Sequence, residues 1–460
     1  MNPRPLLAAA AIALALSPAL AQNAAPEKGS GAAAHADDAP PSADSAAAKV
    51  AFLKSIAIPV RTIDPKDEDF TDLMPLIEKI GPARVVLLGE QTHGDGATFE
   101  GKSRLIKFLH QKMGFDVLAF ESGMFDMRWV DEGLKNNAPM TEVHKRGLFG
   151  IWALSAQCQD LLTYALDTQR TERPLDLAGF DSQFSSDLAR QEFPRAAKLF
   201  FVLADENFLP KDLETAVADL SDWIGREQGG DKEPEPKALI TRVQEVIQKT
   251  DDKRDILLRV HSPRDVAFMK RCLRDQIAFA RQTAAFATQD MSKGGSIRDV
   301  AMGENLAWLV TEYYSGRKVI VWAASMHNMY DAPAAALNGD PNTYKDTLTM
   351  GHIAHGVIGD MMYSIMFIAD HGKAGMPWTQ PWTISKAPAG SIDALMHQTS
   401  LPLAFLDLKT AAAADAGAWL KQKQVARPLG YAPCEAIWPD QCNAFFFTDE
   451  MKPSTRNQGK

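Results

Sequence analysis

Cysteine is scarce, with four in 460 residues, and none of the four stands in a CxxC. No HExxH occurs either, so neither a zinc ribbon nor a zincin is indicated. The chain has no GxSxG elbow, which leaves a serine nucleophile without a recognisable seat. Positive charge is short: 49 Lys and Arg against 58 Asp and Glu give a formal net charge of −9. Phosphate backbones need a basic face, so nucleic acid is argued against as a partner. Beyond the N-terminus no run is long and apolar enough to span a bilayer. No internal repeat is found.

The N-terminus itself reads as a secretory signal over residues 1–21. MNPRP carries Arg4, LLAAAAIALAL is apolar, and Ala19-Leu20-Ala21 fits a small-x-small cleavage site before Gln22. Its removal takes away Arg4 alone and moves the formal charge from −9 to −10. No cysteine follows the cleavage point, which argues against a lipid anchor. The expected location is periplasmic or secreted. Residues 22–47, mostly Ala, Pro, Ser, Gly and Asp, read as a disordered linker. In an oxidising compartment Cys434 and Cys442, which bracket EAIWPDQ, are the expected disulfide; Cys158 and Cys272 lie in helical patterns as separate buried thiols or a second bridge.

After the linker, short apolar runs alternate with helical patterns. The runs are RVVLLG (84–89), DVLAFE (116–121), LDLAGFD (175–181), KVIVWAA (318–324), YSIMFIAD (363–370) and LAFLDL (403–408). Near-continuous hydrophobicity is what strands covered on both faces show. The pattern predicts an α/β fold: a mostly parallel central sheet flanked by helices. Between the first two runs, Phe99, Leu105, Ile106, Leu109 and Met113 make a helical stripe stopped by Gly114. Residues 184–296 read as a helical insertion beside the cleft within one domain, 48–450, and residues 451–460 as a flexible tail.

The polar residues fall where the strands end. GEQTHGDG (89–96) puts Glu90, His93 and three glycines at the exit of the first run, with the glycines expected to let a ligand come close. Glu121 closes the second run, Asp181 the third, and His327 lies just beyond the fourth. Ligands of open α/β sheets bind at the carboxyl ends of the strands. Lys102, near the start of the first crossover helix, and Arg298, expected at the start of a helix capped by Ser296, are cations placed to reach the cleft. Taken one at a time each has a bland alternative: a turn histidine, a cap, a solvated cation. His352 and His355 in MGHIAHG read first as packing or surface residues. His110, His144, His261, His371 and His397 have no acidic or structural company that singles them out.

These motifs resemble the erythromycin esterase family. GEQTHG, a helix and FDVLAFES match its Gly-Glu-x-Thr-His-Gly opening, with the basic residue nine positions after that histidine at Lys102 and a strand ending in Glu121. GFDSQ (179–183), RDVAMGEN (298–305) and the strand exit ending at His327 follow in order. The resemblance implies a hydrolase with a cleft between sheet and helices, an ester or lactone as small-molecule substrate, and macrolide resistance as one role. It implies catalytic roles for Glu90, His93, Lys102, Glu121, Arg298 and His327, and substrate binding at Asp181 and Gln183. Two departures stand out. Ala324 occupies the place of the first histidine in the family's His-Asn-Ala-His, and Lys102 that of an arginine, whose bidentate contact lysine cannot make. Both count against macrolides more than against hydrolysis.

Three mechanisms are compatible with these residues. In the first, no cofactor is needed: His93 takes a proton from water, Glu90 or Glu121 orients it, and Lys102, Arg298 or His327 meets the developing oxyanion. In the second, Glu90, His93, Glu121 and His327 hold a divalent metal that activates the water. In the third, the scaffold binds a ligand and turns nothing over.

Overall fold

The computed structural model describes residues 45–136, 147–228 and 235–457. The expected signal peptide and most of the expected linker lie outside them. The linker's last residues do not stay irregular. Ser45 caps a helix, Ala46–Ile56, through a hydrogen bond from Ala48 N.

One nine-stranded sheet organises the chain. Its strands are β1 (Ile58–Pro59), β2 (Val85–Glu90), β3 (Val117–Gly123), β4 (Asp176–Asp181), β5 (Val319–Ala324), β7 (Met362–Ala374), β8 (Trp382–Ile384), β9 (Leu403–Asp407) and β12 (Ala444–Met451). The order across the sheet is β1-β9-β12-β7-β2-β5-β3-β4, with β8 paired to the overrun of β7. The block β12-β7-β2-β5-β3-β4 is parallel, whereas β9 runs antiparallel to β12 and to β1. A small second sheet joins β6 (Ala336–Leu337), β10 (Gln424–Ala426) and β11 (Cys434–Ala436). All six apolar runs form strands. β12 was not anticipated, and neither was the placement of β5 between β2 and β3.

Period-two alternation divides the strand residues between two cores. Val85, Leu87, Val117, Ala119, Val319 and Val321 face one side, where helices Asp187–Ala204, Ala216–Gln228, Lys237–Asp252, Pro263–Ala287 and Met291–Trp308 cover them. Val86, Leu88, Leu118, Phe120, Ile320 and Trp322 face the other, against helix Gly96–Met113. Within residues 184–296 every described regular element is helical. Helix Gly96–Met113 buries Phe99, Leu105, Ile106 and Leu109 as expected, and Gly114 ends it at φ +73°. It is more enclosed than an amphipathic helix, however. Lys102, Arg104 and Lys107 are buried as well, and each is paired with a carboxylate: Glu90, Asp72 and Asp160.

The C-terminus departs from the expected flexible tail. Met451 completes β12, and residues 452–457 run as a strap over the GEQTHGDG loop. Ser454 N donates to Gly94 O (2.9 Å), Ala97 N to Lys452 O (3.2 Å), Ala156 N to Thr455 O (2.8 Å) and Asn457 N to Leu154 O (2.8 Å). Ser454 is buried, its hydroxyl 2.8 Å from that of Ser155.

The cysteines also differ from expectation. Cys434 and Cys442 are free thiols buried in one apolar cluster with Trp438, Phe445 and Phe447. EAIWPDQ folds as the end of β11 and a helical turn, Trp438–Gln441, not as a disulfide-closed loop. Burial pushes the Cys434 thiol up to about 12, the behaviour of a small core residue. Cys158 and Cys272 are free and buried in the cores on opposite faces of the sheet, so they cannot bridge. No helix among the described residues is long and apolar enough to cross a membrane.

Candidate active site

β5 is the axis of the site. β2 lies on one flank of it and β3 on the other, so Glu90 and Glu121 reach the exit of β5 from opposite sides. Each carboxylate is tied to β5 itself. Glu121 Oε2 accepts from Ala324 N at 2.9 Å. Lys102, the partner of Glu90, donates to Ala323 O at 3.0 Å.

On the β2 flank, Glu90 is fully buried and accepts from three donors. Oε2 takes Lys102 Nζ; Oε1 takes His93 Nδ1 at 3.1 Å and Trp152 Nε1 at 3.2 Å. Burial lowers the Lys102 ammonium's affinity for its proton, and Glu90 partly restores it. Lys102 is therefore enclosed and occupied, a counter-charge for Glu90 and not a group facing substrate. Its ammonium also lies 4.7 Å from the centroid of Trp322. His93 is different. Its side chain keeps 20% exposure, its ring stands edge-on to Trp152 at 5.7 Å, and no described residue hydrogen-bonds its Nε2.

On the β3 flank the groups close on one another. Arg298 spans two carboxylates, Asp181 (Nη2 to Oδ2 2.6 Å, Nε to both oxygens 3.2 Å) and Glu121 (Nη2 to Oε1 2.7 Å). His327 lies between Asp299 (Nδ1 to Oδ1 2.8 Å) and Glu121 (Nε2 to Oε1 3.2 Å). Burial alone would lower the His327 pKa, but Asp299 and Glu121 raise it to about 10. Burial would raise that of Glu121, yet His327 and Arg298 hold it well below the ordinary range. This flank thus sets three carboxylates against two cations.

Arg298 is not at a helix start. Its helix, Met291–Trp308, is capped by Asp290, so Arg298 sits two turns inside and carries no dipole penalty; Ser296 is interior too. Asp299 is no cap partner. It positions His327 and accepts from Met350 N at 2.9 Å. Asp181 does not cap the next helix, which Ser186 does. Gln183 donates its backbone N–H to Asp181 Oδ1 at 3.1 Å and lines a small void with Asp275, whose buried carboxyl is pushed up to about 8. Asp275 also lines a cavity of about 900 Å³ among the helices. Its wall includes Ser296 and Ile297, directly before Arg298, and the basic residues Arg271, Arg274, Arg281 and Lys293.

The motif glycines serve the protein's own packing, not the approach of a ligand. A Cβ at Gly89 would meet Ser325 Oγ at 2.8 Å, and one at Gly94 would meet Trp382 at 2.7 Å and Gly375 N at 2.8 Å. At Gly96 it would strike the backbone of Pro453. Asp95 anchors the loop by accepting from Thr92 N (2.6 Å) and Tyr431 OH (2.8 Å), and burial raises its pKa to about 7.

The four candidate metal ligands Glu90, His93, Glu121 and His327 do not converge on one point. The carboxylates are claimed by Lys102 and Arg298 on opposite flanks of β5, a donor set that does not fit one ion. Sequence reading missed Trp152 and Asp299 as members of the site. His352 and His355 stand apart from it, packing about Tyr330. Ser315-Gly316-Arg317-Lys318 has the SxxK spacing, but it precedes β5 at the opposite edge of the sheet.

A mostly parallel sheet flanked by helices, with carboxylates and imidazoles gathered at its carboxyl edge, places the chain in the α/β class. The chain belongs to the erythromycin esterase family, a family of hydrolases, whose sequence model matches residues 110–451. Glu121, Asp181, Arg298 and His327 fall inside that span; Glu90, His93 and Lys102 precede it. Among relatives, the Bacillus subtilis (strain 168) protein YbfO, named as a hydrolase, is 24% identical over 425 residues, 85% of this chain and 89% of its own. Erythromycin esterase type II of Escherichia coli is 29% identical over 92 residues, 20% of this chain and 22% of its own. The fold matches a Bacillus cereus protein of solved structure with a TM-score of 0.76 at 19% identity, over 90% of this chain and 100% of that one. It also matches a mutant of erythromycin esterase EreC in its open conformation, with a TM-score of 0.64 at 15% identity over 85% and 97%.

Proposed function

We propose that this hydrolase opens an ester or lactone of a small molecule with water activated by His93. One observation carries the reading: His93 is fixed through Nδ1 by Glu90 while Nε2 is left to the cleft. A carboxylate on Nδ1–H selects the tautomer whose Nε2 lone pair is basic. Lys102 and Trp152 hold Glu90 so that it faces the ring. Water bound at Nε2 gives up a proton as its oxygen attacks the carbonyl carbon. When the tetrahedral adduct collapses, the C–O bond to the alcohol breaks and the imidazolium returns the proton to the leaving oxygen. Ester and water become acid and alcohol, and the base is restored. Arg298, across β5, is the cation offered to the developing oxyanion; its Nη1 touches no carboxylate and stands 3.4 Å from His327 Nε2.

Asp181 and Gln183 lie beside Arg298, and the cavity next to them, lined by both basic and acidic side chains, leaves room for a small-molecule ester. Residues 1–21 support export before action, and macrolide resistance is one role within this reading. The test is mass spectrometry of the purified chain incubated with macrolides, simple lactones and esters, with His93→Ala alongside. A product heavier by one water, lost in the variant, is the expected result. Ligand binding without turnover anywhere in the panel would overturn it in favour of a binding protein.

A further inference from the structure

Away from the catalytic cleft, β7, β12 and helix Ile392–Gln398 bring two histidines and two aspartates together. One ligand atom from each of Asp370, His371, His397 and Asp449 lies within 4.8 Å of every other. Asp370 Oδ2 is 3.1 Å from His371 Nδ1 and 3.9 Å from His397 Nδ1, and Asp449 Oδ1 is 2.6 Å from His397 Nδ1. The two rings stand at 82° with centroids 5.9 Å apart. No lysine or arginine head pairs with these carboxylates among the described residues, in contrast to both flanks of β5.

The backbone under the four side chains is fixed. Arg427 Nη2 donates to Asp370 O at 2.6 Å, His371 is paired with Glu450 across β7 and β12, and Asp449 N donates to Pro402 O at 2.9 Å. His397 lies in the last turn of its helix, where its carbonyl accepts from Ser400 N at 3.1 Å. The side chains keep partial exposure except for Asp370, so an ion has a way in. We propose that Asp370, His371, His397 and Asp449 form a binding site for one zinc-class divalent cation, separate from the catalytic groups. Two imidazole nitrogens and two carboxylate oxygens suit zinc, or cobalt in its place; magnesium and calcium prefer all-oxygen shells. The cation takes the place of the protons that bridge imidazole and carboxylate in its absence. Its position gives it a structural effect. The strap that holds Gly94 begins just after Asp449, and the overrun of β7 beyond His371 leads to Gly375, whose N–H donates to Gly94 O at 3.0 Å. The ion therefore braces both supports of the loop that carries His93.

The test uses the full chain stripped with a chelator, then titrated with zinc chloride by calorimetry, with bound metal counted by mass spectrometry after dialysis. One zinc per chain and a melting temperature higher by at least about 2 °C are expected. Both should survive in His93→Ala, and affinity should fall at least tenfold in His397→Ala and in Asp449→Asn, two side chains exposed enough to be changed without unfolding the chain. Cobalt(II) should give the visible absorption of a low-symmetry nitrogen–oxygen site, absent in His397→Ala. No zinc retained by the wild-type chain, or zinc retained undiminished by both variants, would overturn the site. Loss of zinc in His93→Ala instead would place the ion at the cleft and overturn it equally.

Discussion

The two flanks of β5 use the same residue types to opposite ends. On the β2 flank a single carboxylate, Glu90, collects three donors and leaves one atom of its histidine open. On the β3 flank three carboxylates and two cations satisfy one another, and both nitrogens of His327 are taken. A histidine between two carboxylates is held as a cation and cannot serve as a base near neutral pH. One carboxylate orients an imidazole and leaves it able to accept a proton. On the proposed reading the first flank is the reactive one, and the second is a closed, rigid network of ion pairs.

The largest expected effect lies on the open flank. His93→Ala should lower kcat/KM by about a hundredfold to ten-thousandfold while leaving the denaturation midpoint nearly unchanged. A loss under tenfold would break the assignment. On the closed flank Arg298→Met should cost stability as well as activity, because Asp181 and Glu121 are then buried without their cation. Urea denaturation should show a loss of about 3–5 kcal/mol. An inactive variant of unchanged stability would mean that Arg298 serves chemistry alone.

Titration sharpens the same contrast. The folded-state pKa of His327 is raised to about 10 from the ordinary 6.5, so its contribution is complete below the ordinary value and is lost as pH rises through about 10. Unfolding free energy should fall across that window by on the order of a few kcal/mol, and His327→Gln should flatten the fall. Glu121, held below its ordinary value, works in the other direction: its contribution is present above the ordinary carboxylate range and is lost as pH falls towards its lowered folded value. The smallest effect is at Trp152→Phe, which removes one donor to Glu90. Roughly tenfold lower kcat with KM little changed is expected, measured on whichever ester the chain turns over.

Much of the fold is legible because burial on two faces writes itself as continuous apolar runs, and the candidate site is legible because its polar residues sit where such runs end. Glu90, His93, Glu121, Asp181 and His327 were found that way. Lateral order is not written locally. Nothing in KVIVWAA says that it enters between the first two runs, so the division of the site by β5 is not written in the sequence. Trp152 lies in a helical turn, Gly150–Ala153, that only tertiary packing brings against Glu90. Asp299 resembles a cap partner in sequence because Ser296 precedes it by three, yet the helix starts earlier and Asp290 caps it. The apolar FFF of β12 carried no chemistry to draw attention, yet that strand places Asp449 and the strap.

The strap also sets an order of events in the life of the chain. GEQTHGDG is synthesised within the first quarter of the sequence, whereas its backbone partners Gly375, Gly430 and Ser454 come from the last fifth. A nascent chain, or one clipped after β12, carries the whole motif without its clasp. Synthesis of the strap is therefore the step that completes the backbone hydrogen bonding of the loop.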